Sequence, residues 1–178
     1  MSNPNDIDLI LLTHLHGDYF AGIPFFILDA QLINKRREPL EIVGPPGTKK
    51  RIFALMEAIF PGSSSVQQKF NLEITEFALG ELNNFGDVSV IPYLVNHPSG
   101  DPSLGLRIHH LNKTISYTGD TEWVDNIIPL AQNADLLVSE CYFYDKKVKY
   151  HLDYKTLLSH LDKIQPKKLV LTHMSDDM

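Results

Sequence analysis

The stretch Ile7-Asp8-Leu9-Ile10-Leu11-Leu12-Thr13-His14-Leu15-His16-Gly17-Asp18 decides how this chain is read. Its apolar part, 7–12, has the length of a buried strand and runs straight into polar donors. Side chains two apart at a strand end point the same way, so His14 and His16 converge. Gly17 lets the chain turn and brings Asp18 back toward the same region. Imidazole and carboxylate are good ligands for Zn²⁺, Mn²⁺ and iron. A pair of ordinary surface histidines is the plain alternative, but three donors closing an apolar strand favour a divalent cation.

Further strand-like segments end in the same kinds of side chain. His97 follows 88–95, Asp120 follows 114–118 within Tyr117-Thr118-Gly119-Asp120-Thr121, and His173 directly follows 168–172. Any one of these alone is a solvated loop residue. The repeated placement carries the argument, because a metal site needs ligands converging from rigid elements. Other strands are expected at 40–43, 72–77, 104–108 and 136–139. Helices are expected at 20–34 with Pro24 in the first turn, at 48–60 capped by Thr48, at 124–132, and at 153–164 capped by Asp153. Alternating elements followed by a strand-rich half predict an α/β (α+β) fold of sheet layers covered by helices.

At 178 residues one domain is the default. The apolar residues make 43%, and with ten glycines about 49%, which excludes disorder, collagen and coiled coil. A net charge of −6 excludes a generally basic nucleic-acid coat, but not a small site made positive by a bound ion. The single cysteine, Cys141, forbids an intrachain disulfide and points to a reducing cytoplasm. The polar, acidic start is unlike a signal peptide, and no apolar run approaches a membrane span, so a soluble chain without membrane contact is expected. The clusters Lys35-Arg36-Arg37, Lys49-Lys50-Arg51 and Lys146-Lys147 read as solvated surface. His109 and His110, near a hairpin turn, and His160, at the flank of an amphipathic helix, read as residues without a functional role, and Gly44-Pro45-Pro46-Gly47-Thr48-Lys49 as a strand-to-helix turn without the ending of a phosphate loop.

This order of motifs resembles the metallo-β-lactamase superfamily over nearly the whole chain. The resemblance implies a four-layer αββα sandwich and a single domain over 1–178. The first motif begins at Thr13 and the sequence ends five residues past His173, so the domain is expected to be shortened at both ends and to lack N-terminal edge strands. By the same resemblance His14, His16 and His97 hold a first ion, Asp18 and His173 a second, and Asp120 bridges them. Zn²⁺ is the expected ion, with Mn²⁺ or Fe²⁺ as alternatives. Tyr19 stands where the superfamily carries the last His of its first motif. Either it ligates as phenolate or it turns away; a weakened second site is the favoured reading.

Asn96-His97-Pro98-Ser99-Gly100 and Thr118-Gly119-Asp120-Thr121 look like the ribonuclease Z and small phosphodiesterase branch. That likeness implies that His151 protonates a leaving oxygen while Glu140 orients it, with Asp18 completing the catalytic set. The expected activity is a metal-dependent phosphodiesterase using a metal-activated water. The alternatives are a degenerate metal-binding module without turnover, or a thioesterase or lactonase of the same superfamily. Only 23 positions separate His97 from Asp120, which leaves no room for an inserted tRNA-docking arm. A small phosphodiester is therefore the expected partner, and exposed sheet edges leave room for a homodimer.

Overall fold

The computed structural model describes residues 3–100 and 102–178. Met1 and Ser2, from the polar start, and Asp101, between the third-motif His and the bridging Asp, lie outside the described residues. The chain divides into two compact units, Met1–Phe77 and Ala78–Met178.

In the first unit β1 (Leu9–Leu11), β2 (Leu40–Gly44) and β3 (Leu72–Glu76) form a parallel sheet in that order. Leu40, Ile42 and Val43 of the central strand are fully buried, as expected of a parallel strand that is apolar on both faces. Parallel neighbours need crossovers. Here α1 (Gly17–Phe20) and α2 (Ile23–Leu32) link β1 to β2, and α3 (Thr48–Ile59) links β2 to β3. Ile23, Ile27 and Ala30 of α2 and Ile52 and Met56 of α3 pack with Leu40, Ile42 and Ile74 into one core.

Three expectations are corrected here. The segment 20–34 is a short helical turn followed by a helix beginning at Ile23, with Pro24 in the first turn where its missing N–H costs nothing. Gly47, at φ 94, occupies the cap position of α3; Thr48 is the first helical residue and its hydroxyl donates to Pro45 O at 2.7 Å. Arg36 is not solvated but buried, its guanidinium donating to the carbonyls of Pro4, Asn5, Glu38 and Pro39. Only such a ring of acceptors makes a fully buried arginine tolerable.

The second unit is a six-stranded sheet in chain order: β4 (Asn83–Phe85), β5 (Val88–Leu94), β6 (Leu104–His110), β7 (Lys113–Tyr117), β8 (Leu136–Glu140) and β9 (Leu169–Thr172). β4 to β7 pair antiparallel, and β7, β8 and β9 pair parallel. β5 and β7 both oppose β6, so β5, β7, β8 and β9 run in one direction and end on one edge. The β6–β7 hairpin turns on Leu111 and Asn112, both at positive φ, the two-residue geometry whose twist suits flanking strands. The helices α4 (Ile127–Ala131), α5 (Tyr154–Ser159) and α6 (Leu161–Ile164) bury Ile127, Ala131, Leu157 and Ile164 against Leu137 of β8.

The cap at Asp153 is as expected: its carboxylate accepts the Thr156 N–H at 2.9 Å. The helix expected at 153–164 is broken at His160, which is half-buried and stacks its ring on Trp123 with centroids 3.7 Å apart. β4 was not expected, because Asn83-Asn84-Phe85 carries no apolar alternation. No described helix is long and apolar enough to cross a membrane.

Candidate metal centre

In the first unit the end of β1 delivers His14 and His16 together, their rings 5.0 Å apart and edge-on. Thr13 Oγ1 lies 3.1 Å from His14 Nδ1 and fixes that ring in its buried position. The Tyr19 ring, on the following helical turn, packs 4.2 Å from the His14 ring. Asp18 stands on the same turn and is exposed, unlike His14.

In the second unit the common edge of β5, β7, β8 and β9 carries His97, Asp120, Glu140 and His173. Gly119, at φ 60, supplies the left-handed turn that brings Asp120 over the end of β7. Asp120 is buried. Its Oδ2 lies 3.8 Å from His97 Nε2 and 3.5 Å from His173 Nε2. These separations exceed a hydrogen bond. They approach the ~3.3 Å edge of a tetrahedron whose ligand bonds are about 2.0–2.1 Å. His97 Nδ1 sits 3.2 Å from Tyr150 O. A carbonyl only accepts, so Nδ1 carries a proton, and Nε2 is the ring atom left on the Asp120 side to act as a ligand. This is the outer hydrogen bond that orients a ligating imidazole.

Glu140, fully buried at the end of β8, lies beside this cluster, with Oε2 3.1 Å from His151 Nδ1 and 3.9 Å from His173 Nδ1. Burial pushes its carboxyl up to about 8, against the pull of the Thr121 N–H; the charge of Asp120 adds to the rise and the Leu152 N–H opposes it. His97, Asp120 and His151 offer ligand atoms within 4.8 Å of one another, and so do Glu140, His151 and His173. The donor set therefore suits a borderline divalent ion such as Zn²⁺. Next in sequence, Cys141 is fully buried, and burial, followed by the charges of Asp153 and Glu140, pushes its thiol up to about 11.

Two sets of side chains around this edge escaped the sequence reading. Tyr142 packs its ring 4.9 Å from His151 and 5.4 Å from His173, tilted by 29° and 32°, while the two histidine rings stack at 14°. Its place two residues after Glu140 was the available signal. Trp123, Lys147 and Lys149 line a cavity that also touches His151. The run Tyr142-Phe143-Tyr144-Asp145-Lys146-Lys147-Val148-Lys149-Tyr150, basic and aromatic together, marked it.

A family model described as a beta-lactamase superfamily domain matches residues 1–174. The chain belongs to this superfamily. Its fold is that of the metallo-β-lactamase fold protein YhfI from Bacillus subtilis, with a TM-score of 0.74 at 24% identity over 96% of this chain and 66% of that one. The short form of human tRNase Z gives a TM-score of 0.74 at 25% identity, covering 98% of this chain and 74% of its own. Among curated superfamily members, the ribonuclease Z of Limosilactobacillus reuteri (strain DSM 20016) is 29% identical over 226 positions, 97% of this chain and 71% of its own length. Those positions outnumber the 178 residues here, so that relative carries insertions this chain lacks. The ribonuclease Z of Mycobacterium bovis (strain BCG / Pasteur 1173P2) is 27% identical over 74% of this chain, which spans about half that relative's length.

Proposed function

We propose that this chain is a metal-dependent hydrolase of phosphodiesters. The observation that carries the reading is the buried Asp120 carboxylate flanked by the Nε2 atoms of His97 and His173, with the Glu140–His151 pair alongside. His14, His16 and His97 are the proposed ligands of a first ion, Asp18 and His173 those of a second, and Asp120 the bridge. In this reading residues 1–178 act as one domain. A bound divalent ion would supply an acidified water and offset charge on the non-bridging phosphate oxygens.

The chain's own residues do the rest. Tyr150 O and Thr13 Oγ1 hold the imidazoles of His97 and His14 in their ligating orientation. Glu140 Oε2 and His151 Nδ1 lie 3.1 Å apart, which orients the ring; in its imidazolium form His151 would then carry on Nε2 the proton given to the departing group. Water oxygen bonds to phosphorus, the P–O bond to the leaving group breaks, and His151 gives its proton to the departing oxygen. The relatives named ribonuclease Z, and a solved neighbour named a diphosphatase of the PhnP family, support phosphoryl chemistry in this fold. The net charge of −6 supports a small substrate over an extended nucleic acid.

Metal analysis of the purified protein, paired with hydrolysis of bis(p-nitrophenyl) phosphate in excess Zn²⁺ or Mn²⁺, tests this. Bound metal and turnover are expected, with His151→Ala lowering kcat by about 10²–10⁴-fold while metal content stays unchanged. Exposed Asp18 and the Tyr19 ring beside His14 favour one rival, a metal-binding module without turnover. Bound metal with no hydrolysis of any ester would establish it. Faster cleavage of a thioester or lactone would place the chain in another hydrolase branch.

A further inference from the structure

Tyr142 follows the end of β8, and its main chain is engaged on both sides. Its N–H donates to Leu152 O at 2.8 Å, one residue after His151. Its carbonyl accepts the Ser175 N–H at 2.9 Å, two residues after His173. These bonds gather the segments bearing His151 and His173 around one half-buried phenol ring, all within the second unit. The Tyr142 centroid lies 4.9 Å from that of His151 and 5.4 Å from that of His173, and the two histidines are 5.4 Å apart. Such a triangle means that Tyr142 and His173 approach His151 from the same side. His97 lies 5.1 Å from His151 with its plane at 69°. His97 and His173 are proposed metal ligands; Tyr142 is not, and meets His151 through packing alone, at 29°.

A hydrogen bond at one ring atom fixes a point of an imidazole, not its plane. Glu140 supplies the point, with Oε2 3.1 Å from His151 Nδ1. The plane is set by what lies flat against the ring, because offset packing of aromatic faces is directional. We propose that Tyr142 is a positioning residue, whose ring holds the plane of His151 and so aims Nε2 at the departing oxygen. The inference rests on the phosphodiester reading above and adds the residue that orients its proton donor. Proton transfer needs hydrogen-bond geometry, and a misplacement of about 1 Å can cost about 10²-fold in rate.

The two anchoring bonds belong to the main chain, so a substitution at position 142 changes the ring and leaves them in place. The test compares the metal-loaded wild-type protein with Tyr142→Phe and Tyr142→Leu on bis(p-nitrophenyl) phosphate and on diphenyl phosphate. Phenolate is the poorer leaving group and depends more on a delivered proton. The phenylalanine variant should keep kcat within about twofold on both esters. The leucine variant should keep its KM and metal content, lose about tenfold in kcat on the p-nitrophenyl ester, and lose about tenfold more on diphenyl phosphate. In Tyr142→Leu/His151→Ala the loss should equal that of His151→Ala alone. Tyr142→Met, which also lacks a flat face, answers the same question should the leucine variant not fold. An equal loss on both esters, a changed metal content, a further loss in the double variant, or a phenylalanine variant as slow as the leucine one would each overturn the role of Tyr142 alone. Absence of hydrolysis by the wild-type protein would overturn the phosphodiester reading itself, and this role with it.

Discussion

At the scale of single residues, Tyr19 is the position where this chain parts from the first superfamily motif. A phenol with an ordinary pKa of about 10 yields its proton to a metal reluctantly. Its ring lies against His14, so the side chain is held near the proposed ligands instead of swinging into solvent. Tyr19→His should restore an imidazole at this place, tighten the weaker ion and raise phosphodiester turnover. Isothermal titration with Zn²⁺ checks this; an unchanged stoichiometry and affinity would refute the account of Tyr19. That His14 and His16 come after β1, and His97, Asp120 and His173 after β5, β7 and β9, was legible in the sequence, because an apolar run marks each strand and so the place where it ends. Tyr142 and Trp123 were not, because an aromatic ring in a loop shows its partner only when distant segments are folded together. Arg36 was misread for the same reason: its acceptors are backbone carbonyls, which every residue has.

At the scale of elements, the end of the six-stranded sheet far from the candidate metal centre is tied by one carboxylate. Asp135, just before β8, accepts the Thr114 N–H of β7 at 2.9 Å and Lys167 Nζ, before β9, at 2.9 Å, with Lys113 Nζ at 3.6 Å. The Lys167 hydrogen bond first, and the Thr114 N–H next, hold its carboxyl down to about 2, from an ordinary value near 3.8. A depressed folded value means the contribution is complete above about pH 4 and disappears as pH falls through about 2. Asp135→Asn should therefore lower the urea midpoint near neutral pH, and the gap to the parent should close as pH falls from 4 to 2. A gap independent of pH would refute this role. Elements with a strong apolar period, such as α3 and β5, were foreseeable because burial of one face dictates the spacing. β4 and the break at His160 answer to tertiary contacts: a three-residue hairpin arm pairs with β5, and an imidazole leaves the helical path to stack on an indole.

At the scale of the whole molecule, an acidic chain concentrates its cation-bearing aromatic segment, Tyr142 to Tyr150, beside the proposed proton donor. Association with an anionic substrate should then depend on local field more than on total charge, and weaken with ionic strength. Composition announced the total; the local concentration required the strand ends to be brought to one edge. Between Glu140 and Tyr142, the sulfur of Cys141 is sealed from solvent and kept protonated. Only a thiolate attacks an aromatic disulfide dye. Coloured thiolate release from such a reagent should thus be slower than with a small free thiol by about 10²-fold or more, and should speed up in denaturant. The lone sulfur becomes a stopwatch on breathing of the sheet beside the candidate site, and immediate colour in native buffer would mean that the sulfur is not sealed.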